Sequence, residues 1–382
     1  MKKNYALAAA FSFLFLFIII SCSESDDSEN YTPIAPVVES PVVVDLTTVP
    51  YPKLSDYKFF EGALKDQKPA LNVLPYEPAS SLFTDYAHKK RFVWMPKGTK
   101  GTYNTDNTTL ELPVGAALIK TFYYENVQNI PNVGGTRIIE TRIMIRKANG
   151  WIFADYVWNA EQTEALLDLN GRKTAISWKD EQNIVKETEY EIPNEVQCAV
   201  CHKFNGPNNT EIYIPIGIKP QNLNFNYTYA DDGSKNQLTK WIEVGYLQNN
   251  FSLPNEENTA VNYMDETKSL DLRAPSYLDI NCAHCHQADK YCNYRPMRFG
   301  FSETKNNPTN MGVCVRTSDV QFPLPSTHQQ VVTPGNIDKS MLYFRLNTTV
   351  ASYRMPMHGR TIIHQEGIEL MEQWINGLEA CQ

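Results

Sequence analysis

Positive charge is scarce in this chain: 35 lysines and arginines stand against 43 acidic residues, a formal net charge of −8. That balance argues against a nucleic-acid partner, which would need a basic surface to neutralise phosphates. Long apolar runs are lacking after residue 20, and the one before it, Ala6 to Ile20, is too short to be read as a membrane-spanning helix. There is no alternation of strands and helices of the kind that builds a parallel sheet, and no internal repeat beyond two short cysteine motifs. What is present suits a folded protein of two or three domains: 382 residues, 42% hydrophobic, with 17 Phe, 21 Tyr and 6 Trp. The 23 prolines and 18 glycines imply many loops. Eight cysteines fall unevenly, as one near the N-terminus, two close pairs and three single residues.

Lys2 and Lys3 followed by the apolar run from Ala6 read as a signal peptide over residues 1–21. The run ends Ile19-Ile20-Ser21-Cys22 and resembles the lipobox of bacterial lipoproteins, which implies lipidation of Cys22 and anchoring to a membrane. An acidic run, Ser23 to Asp27, follows; it resembles the surface-export signals of some Gram-negative lipoproteins and equally suits the start of a solvated tether. The expected location is the cell envelope, as an outer-membrane lipoprotein on the periplasmic face or the cell surface. Residues 22–50, with Pro33, Pro36, Pro41 and Pro50, read as a flexible, extended tether.

From 51 to 205 the hydrophobic period is mostly two. Ile139, Thr141, Ile143 and Ile145 alternate with Glu140, Arg142, Met144 and Arg146; Lys147 to Gly150 interrupts, and Trp151 to Trp158 resumes, which predicts a hairpin around Asn149-Gly150. Ala117–Tyr124, Lys173–Trp178 and Ile184–Ile192 are further strands. Residues 206–266 read as a connector with little regular structure beyond a helix at Asn236–Leu247. From 267 to 382 the period becomes helical, with Ile368, Met371, Trp374, Ile375 and Leu378 as a stripe and another helix at 339–346. The expected fold class is α+β and multidomain: an antiparallel β-sheet module followed by an all-α domain.

Cys198-Ala199-Val200-Cys201-His202 and Cys282-Ala283-His284-Cys285-His286 are both C-x-x-C-H. Two thiols can form thioethers to the haem vinyl groups, the two-residue spacer sets their span, and the next histidine offers an imidazole to the iron. Two zinc knuckles are the main alternative and a thioredoxin-like redox pair a remoter one. For the second haem, Met355 of Tyr353-Arg354-Met355-Pro356-Met357-His358-Gly359 is the expected sixth ligand, with Met357 and His358 as rivals. For the first haem the distal side is either open or taken by Met264, with His88 and His328 as further candidates. Of Cys292, Cys314 and Cys381, two are expected to pair in an oxidising compartment; Cys314 with Cys381 is favoured because it would pin the C-terminal helix.

The stretch Pro113 to Phe122, then Arg142 to Arg146, Gly150-Trp151 and the first motif weakly resembles the β-sheet cytochromes of the c′-beta group, which implies a proximal His202 and an open far side. The chain from about 50 to the end also resembles a family of exported bacterial di-haem c-type cytochrome proteins. The residues that carry this likeness include Leu82-Phe83-Thr84-Asp85, Ile192-Pro193-Asn194 before Gln197-Cys198, Tyr277-Leu278-Asp279, Met355-Pro356 and Gly359-Arg360. It implies two covalent haems and electron transfer with redox partner proteins that it does not identify. Pro275 departs from the family's usual Arg-Ala-Arg run, and His364 stands where an Asp is usual, so no role of that acid carries over. The functions in view are an electron carrier, a haem enzyme for peroxide or nitrogen-oxide chemistry at an open first haem, and a redox or ligand sensor.

Overall fold

A computed structural model describes residues 39–129, 131, 133–317 and 328–381. The expected signal peptide, Cys22 and most of the expected tether lie outside these residues. Among the described residues no helix is long and apolar enough to cross a membrane.

Strands β1 (Phe60–Glu61) and β2 (Lys68–Pro69) form a small ribbon ahead of the main sheet. The main sheet is a six-stranded antiparallel meander of β3 (Leu74–Pro75), β4 (His88–Trp94), β5 (Ala117–Tyr124), β6 (Arg137–Lys147), β7 (Gly150–Trp158) and β8 (Ala165–Leu167) in sequence order. The predicted hairpin is β6–β7: Lys147 pairs with Gly150, so Ala148 and Asn149 make the turn. Because side chains alternate between faces, one face gathers Phe92, Trp94, Ile119, Ile143, Ile145 and Tyr156, covered by Leu54, Tyr57 and Phe59. The opposite face presents Val93, Leu118, Met144 and Trp151. A separate hairpin, β9 (Arg172–Lys179) with β10 (Val185–Ile192), leads into helix α1 (Glu195–His202).

Residues 206–266 do more than connect. Two short ribbons, β11 (Lys203–Asn205) with β12 (Glu211–Tyr213) and β13 (Asn226–Tyr229) with β14 (Gly233–Asn236), accompany helices α2 (Pro220–Leu223) and α3 (Gln237–Glu243). Their Ile218, Leu223, Leu238, Trp241 and Leu247 are fully buried and close the second face of the main sheet. Asn236 caps α3, its side chain accepting from the Leu238 and Thr239 amides.

The all-α C-terminal domain is not what forms. The chain is mixed and only 22% helical, with seven helices among the described residues and several small antiparallel sheets. Beyond α4 (Leu270–Leu278) and a π-helical turn at Asp279–Ala283, the α-helices among the described residues are α5 (Phe301–Thr304), α6 (Met341–Leu346) and the longer α7 (Gln365–Asn376). Bridges Val313–Val332 and Arg316–Gln330 lie between them. The physical reason is local: Asn307 and Asn336 cap short 3₁₀ turns, and Pro275, inside α4, cannot donate to the carbonyl of Asp271, just before the backbone widens into the π turn. The apolar stripe of α7 is real, and Ile368, Met371, Trp374 and Ile375 are buried against Tyr277, Leu278 and Leu342. Leu378 lies past the helix end but packs on the same core. Cys314 and Cys381 form a disulfide that ties the segment after α7 to the body.

Candidate cofactor site

Helix α1 places the first motif. Asn194 opens it with a capping box: its side chain accepts from the Gln197 amide at 2.9 Å, and its own amide donates to the Gln197 side chain at 3.0 Å. Cys198, Cys201 and His202 follow on the remaining turns. The second motif begins in the π turn, which is held by two buried polar residues. Asp279 accepts from Lys219 at 2.6 Å, Asn222 at 3.1 Å and the Phe301 amide at 3.0 Å. Asn281 accepts from the Phe83 amide at 2.9 Å and donates to the Tyr277 carbonyl at 2.9 Å.

Each motif faces its own cavity. Cys198, Cys201 and His202 line a space of about 150 Å³ whose far wall is the main sheet, with Lys120, Arg142, Phe153 and Asp155. Cys282, Cys285 and His286 line one of about 50 Å³ that also takes in Met355, Met357 and His358. Met355 and both of its sequence rivals are thus brought to the second motif. Met264 is 48% exposed and lines neither cavity. A third space, about 730 Å³, adjoins both through Cys201 and His284, and it alone falls in the roughly 300–1,000 Å³ range of cofactor sites.

The donor chemistry fits haem attachment. The four motif cysteines are free thiols, whereas Cys314 and Cys381 are oxidised; Cys292 is also free and buried. The Nδ1 of His202 lies 2.7 Å from the Ile214 carbonyl oxygen; with Nδ1–H donating there, the tautomer is fixed and Nε2 is left as the metal-binding nitrogen. Burial pushes both His202 and His286 down to about 4, so each imidazole is neutral at pH 7, the state that binds iron. The Nδ1 of His286 is buried with no hydrogen-bond partner. A zinc site draws less support. Cys201, His284 and Cys285 bring three donor atoms within 4.8 Å of one another, but Cys198 and Cys282 stand outside the group and a structural zinc takes four ligands.

One feature of the first cavity escaped the sequence reading. Arg91, Lys120, Arg142 and Asp155 sit side by side on β4, β5, β6 and β7, a charged row across the face that carries Val93, Leu118 and Met144. Glu140 holds Arg142 at 2.5 Å and accepts from the Tyr190 hydroxyl at 2.5 Å. Burial, with Glu140 beside it, pushes Asp155 well above the usual carboxylate range, and burial with neighbouring cations pushes Lys120 well below the usual lysine range. The turn falls at Ala148-Asn149, one residue before the Asn149-Gly150 read from the sequence, and this register sets Arg142 opposite Asp155; the sequence showed neither that pairing nor that the row faces the motif.

In chain produced without haem, mild oxidation is expected to join Cys201 to Cys285. Their sulfurs are within 4.8 Å, and the Cys201 thiol is held well below its ordinary range, chiefly by its hydrogen bond with Cys285. Peptide mapping under non-reducing conditions checks this; Cys198–Cys201 and Cys282–Cys285 links alone would contradict it.

No family model, curated protein or solved structure matches the chain.

Proposed function

We propose that this chain is an exported, lipid-anchored di-haem c-type cytochrome that carries electrons between partner proteins. The observation that carries the reading is the pairing of each C-x-x-C-H motif with a cavity, His286 sharing its cavity with Met355 and His202 held on a backbone carbonyl. Bound haem supplies a one-electron Fe(III)/Fe(II) couple. The chain's own residues do the rest. Cys198 and Cys201 would hold one porphyrin and Cys282 and Cys285 the other, with His202 and His286 as proximal ligands. Met355 would complete the second iron, closing it to exogenous ligands and favouring its reduced state. Arg142, which lines the first cavity, would supply positive charge toward propionates there. Lipidation of Cys22 would hold the protein at the outer membrane.

A pyridine haemochrome assay tests the attachment directly. Two haems per chain are expected, falling to one in C198A/C201A and to one in C282A/C285A. Fewer than two in the unmodified protein, or a count that does not change in either variant, would sink the proposal.

A second reading, a haem enzyme at the first site, is favoured by one observation. Both carboxylate oxygens of Asp155 are buried without a hydrogen-bond partner, and Asp155 lines the cavity of His202. A protonated acid there could serve a bound ligand. Carbon monoxide binding by the reduced protein separates the two: a carrier with both irons six-coordinate binds none.

A further inference from the structure

The second cysteines of the two motifs come together. Cys201 is on α1 and Cys285 follows the π turn, yet their sulfurs and a ring nitrogen of His284 all lie within 4.8 Å. The Cys285 thiol also faces the Val200 carbonyl oxygen at 3.8 Å. The first cysteines diverge, Cys198 toward the cavity of His202 and Cys282 toward that of His286. Cys201 and His284 line all three cavities, and the Nδ1 of His284 is buried without a partner.

We infer that the two haems meet edge to edge at Cys201 and Cys285, so that the protein takes up electrons as a coupled pair. The inference rests on the di-haem reading. A thioether sulfur marks the rim of the porphyrin that it holds. Two rims whose sulfurs lie within 4.8 Å of each other have no room for a layer of protein between them, and the group that shares the junction is the His284 ring.

Two consequences follow from that contact. An electron delivered by a one-electron donor to either ferric iron can pass to the other, the first returning to ferric as the second becomes ferrous, with no proton exchanged. Charge added at one iron also opposes addition at the other. At an effective dielectric of about 20, two such charges in adjoining haems would oppose each other by on the order of a tenfold change in equilibrium constant. For a one-electron couple that is about 59 mV.

Soret circular dichroism and a dithionite-poised potentiometric titration of the holoprotein test this. The expected spectrum is a couplet of opposite signs, replaced by a single-signed band in C198A/C201A and in C282A/C285A, each with one haem. The two reduction steps of the unmodified protein should lie further apart than the midpoints of the two single-haem variants, by about 59 mV or more. Two haems by pyridine haemochrome with a single-signed Soret band and no added separation would overturn the coupling and leave the di-haem reading standing. A haemochrome count below two would remove both. The couplet is read on unmodified protein, so the test survives a variant that does not fold.

Discussion

Replacing Arg360 with leucine is expected to lower stability by about 3–5 kcal/mol and, in the same variant, to open the second iron to carbon monoxide. Arg360 is buried, and its guanidinium donates to four backbone carbonyls: Met355 at 2.9 Å, Ile362 at 3.1 Å, Arg345 at 3.0 Å and Thr348 at 3.1 Å. The fork of one side chain therefore fixes the loop that presents Met355 against the end of α6. Leucine leaves those acceptors without their donor, at about 1–3 kcal/mol for each that finds no water. Lysine should not rescue, because an ammonium cannot reproduce the planar spread of donors. Met355→Leu supplies the contrast: the loop and its hydrogen bonds stay, so stability changes little, while the iron loses its thioether. Its potential should then fall on the order of 0.1 V, within the ~0.8 V over which axial ligands act. Denaturant titration and carbon monoxide difference spectra read both variants. An unchanged unfolding midpoint in Arg360→Leu would contradict the loop-fixing role, and a Met355→Leu protein silent to carbon monoxide would move the sixth ligand to Met357 or His358.

The likeness that singled out Met355-Pro356 and Gly359-Arg360 in the sequence came without a physical reason, and the hydrogen bonds of Arg360 supply one. The same holds for Leu82 to Asp85. The Phe83 amide docks on Asn281, and the Asp85 carboxylate accepts from the Thr361 amide at 2.7 Å, the Thr361 hydroxyl at 2.8 Å and the Ile362 amide at 3.1 Å. These joins span up to 277 residues of sequence, and nothing in a polar residue's neighbours encodes a partner that remote. Periodicity was legible where one face of an element is buried: the β6–β7 hairpin, the strands from Ala117 and Arg172, and the stripe on α7. It was only partly legible in residues 206–266, where Leu238 and Trp241 stand on the expected helix but Leu223 and Tyr229 reach the core from elements of four residues, too short to show a period. It also misled after residue 267, where a true helical stripe at the end of the chain was extended over a segment held mostly by turns and bridges.

Acid is expected to weaken the fold from about pH 6.5 downward, with His364 as a principal cause. Its ring stacks on Phe83 at 4.1 Å between centroids and meets Tyr263 and Tyr86 edge-on. Its Nδ1 lies 3.3 Å from the Tyr277 hydroxyl, and Nε2 lies 3.5 Å from a Glu366 carboxylate oxygen. Burial, with Lys89 and Arg360 adding positive charge, lowers this histidine from 6.5 to about 3. Between those values the unfolded chain binds a proton that the folded chain refuses, so stability rises with pH through the window and is lost as pH falls. The loss approaches about 1.4 kcal/mol per pH unit, or about 2 kcal/mol between pH 7.5 and pH 5. His364→Gln keeps a polar group toward Tyr277 and removes the titration. Its unfolding free energy should fall by about 2 kcal/mol less than that of the unmodified protein over the same interval. Parallel pH dependences for the two proteins would show that the acid sensitivity arises elsewhere. His202 and His286, also buried and neutral, would add to it only in protein without haem, because an imidazole bound to iron has no free nitrogen lone pair to protonate.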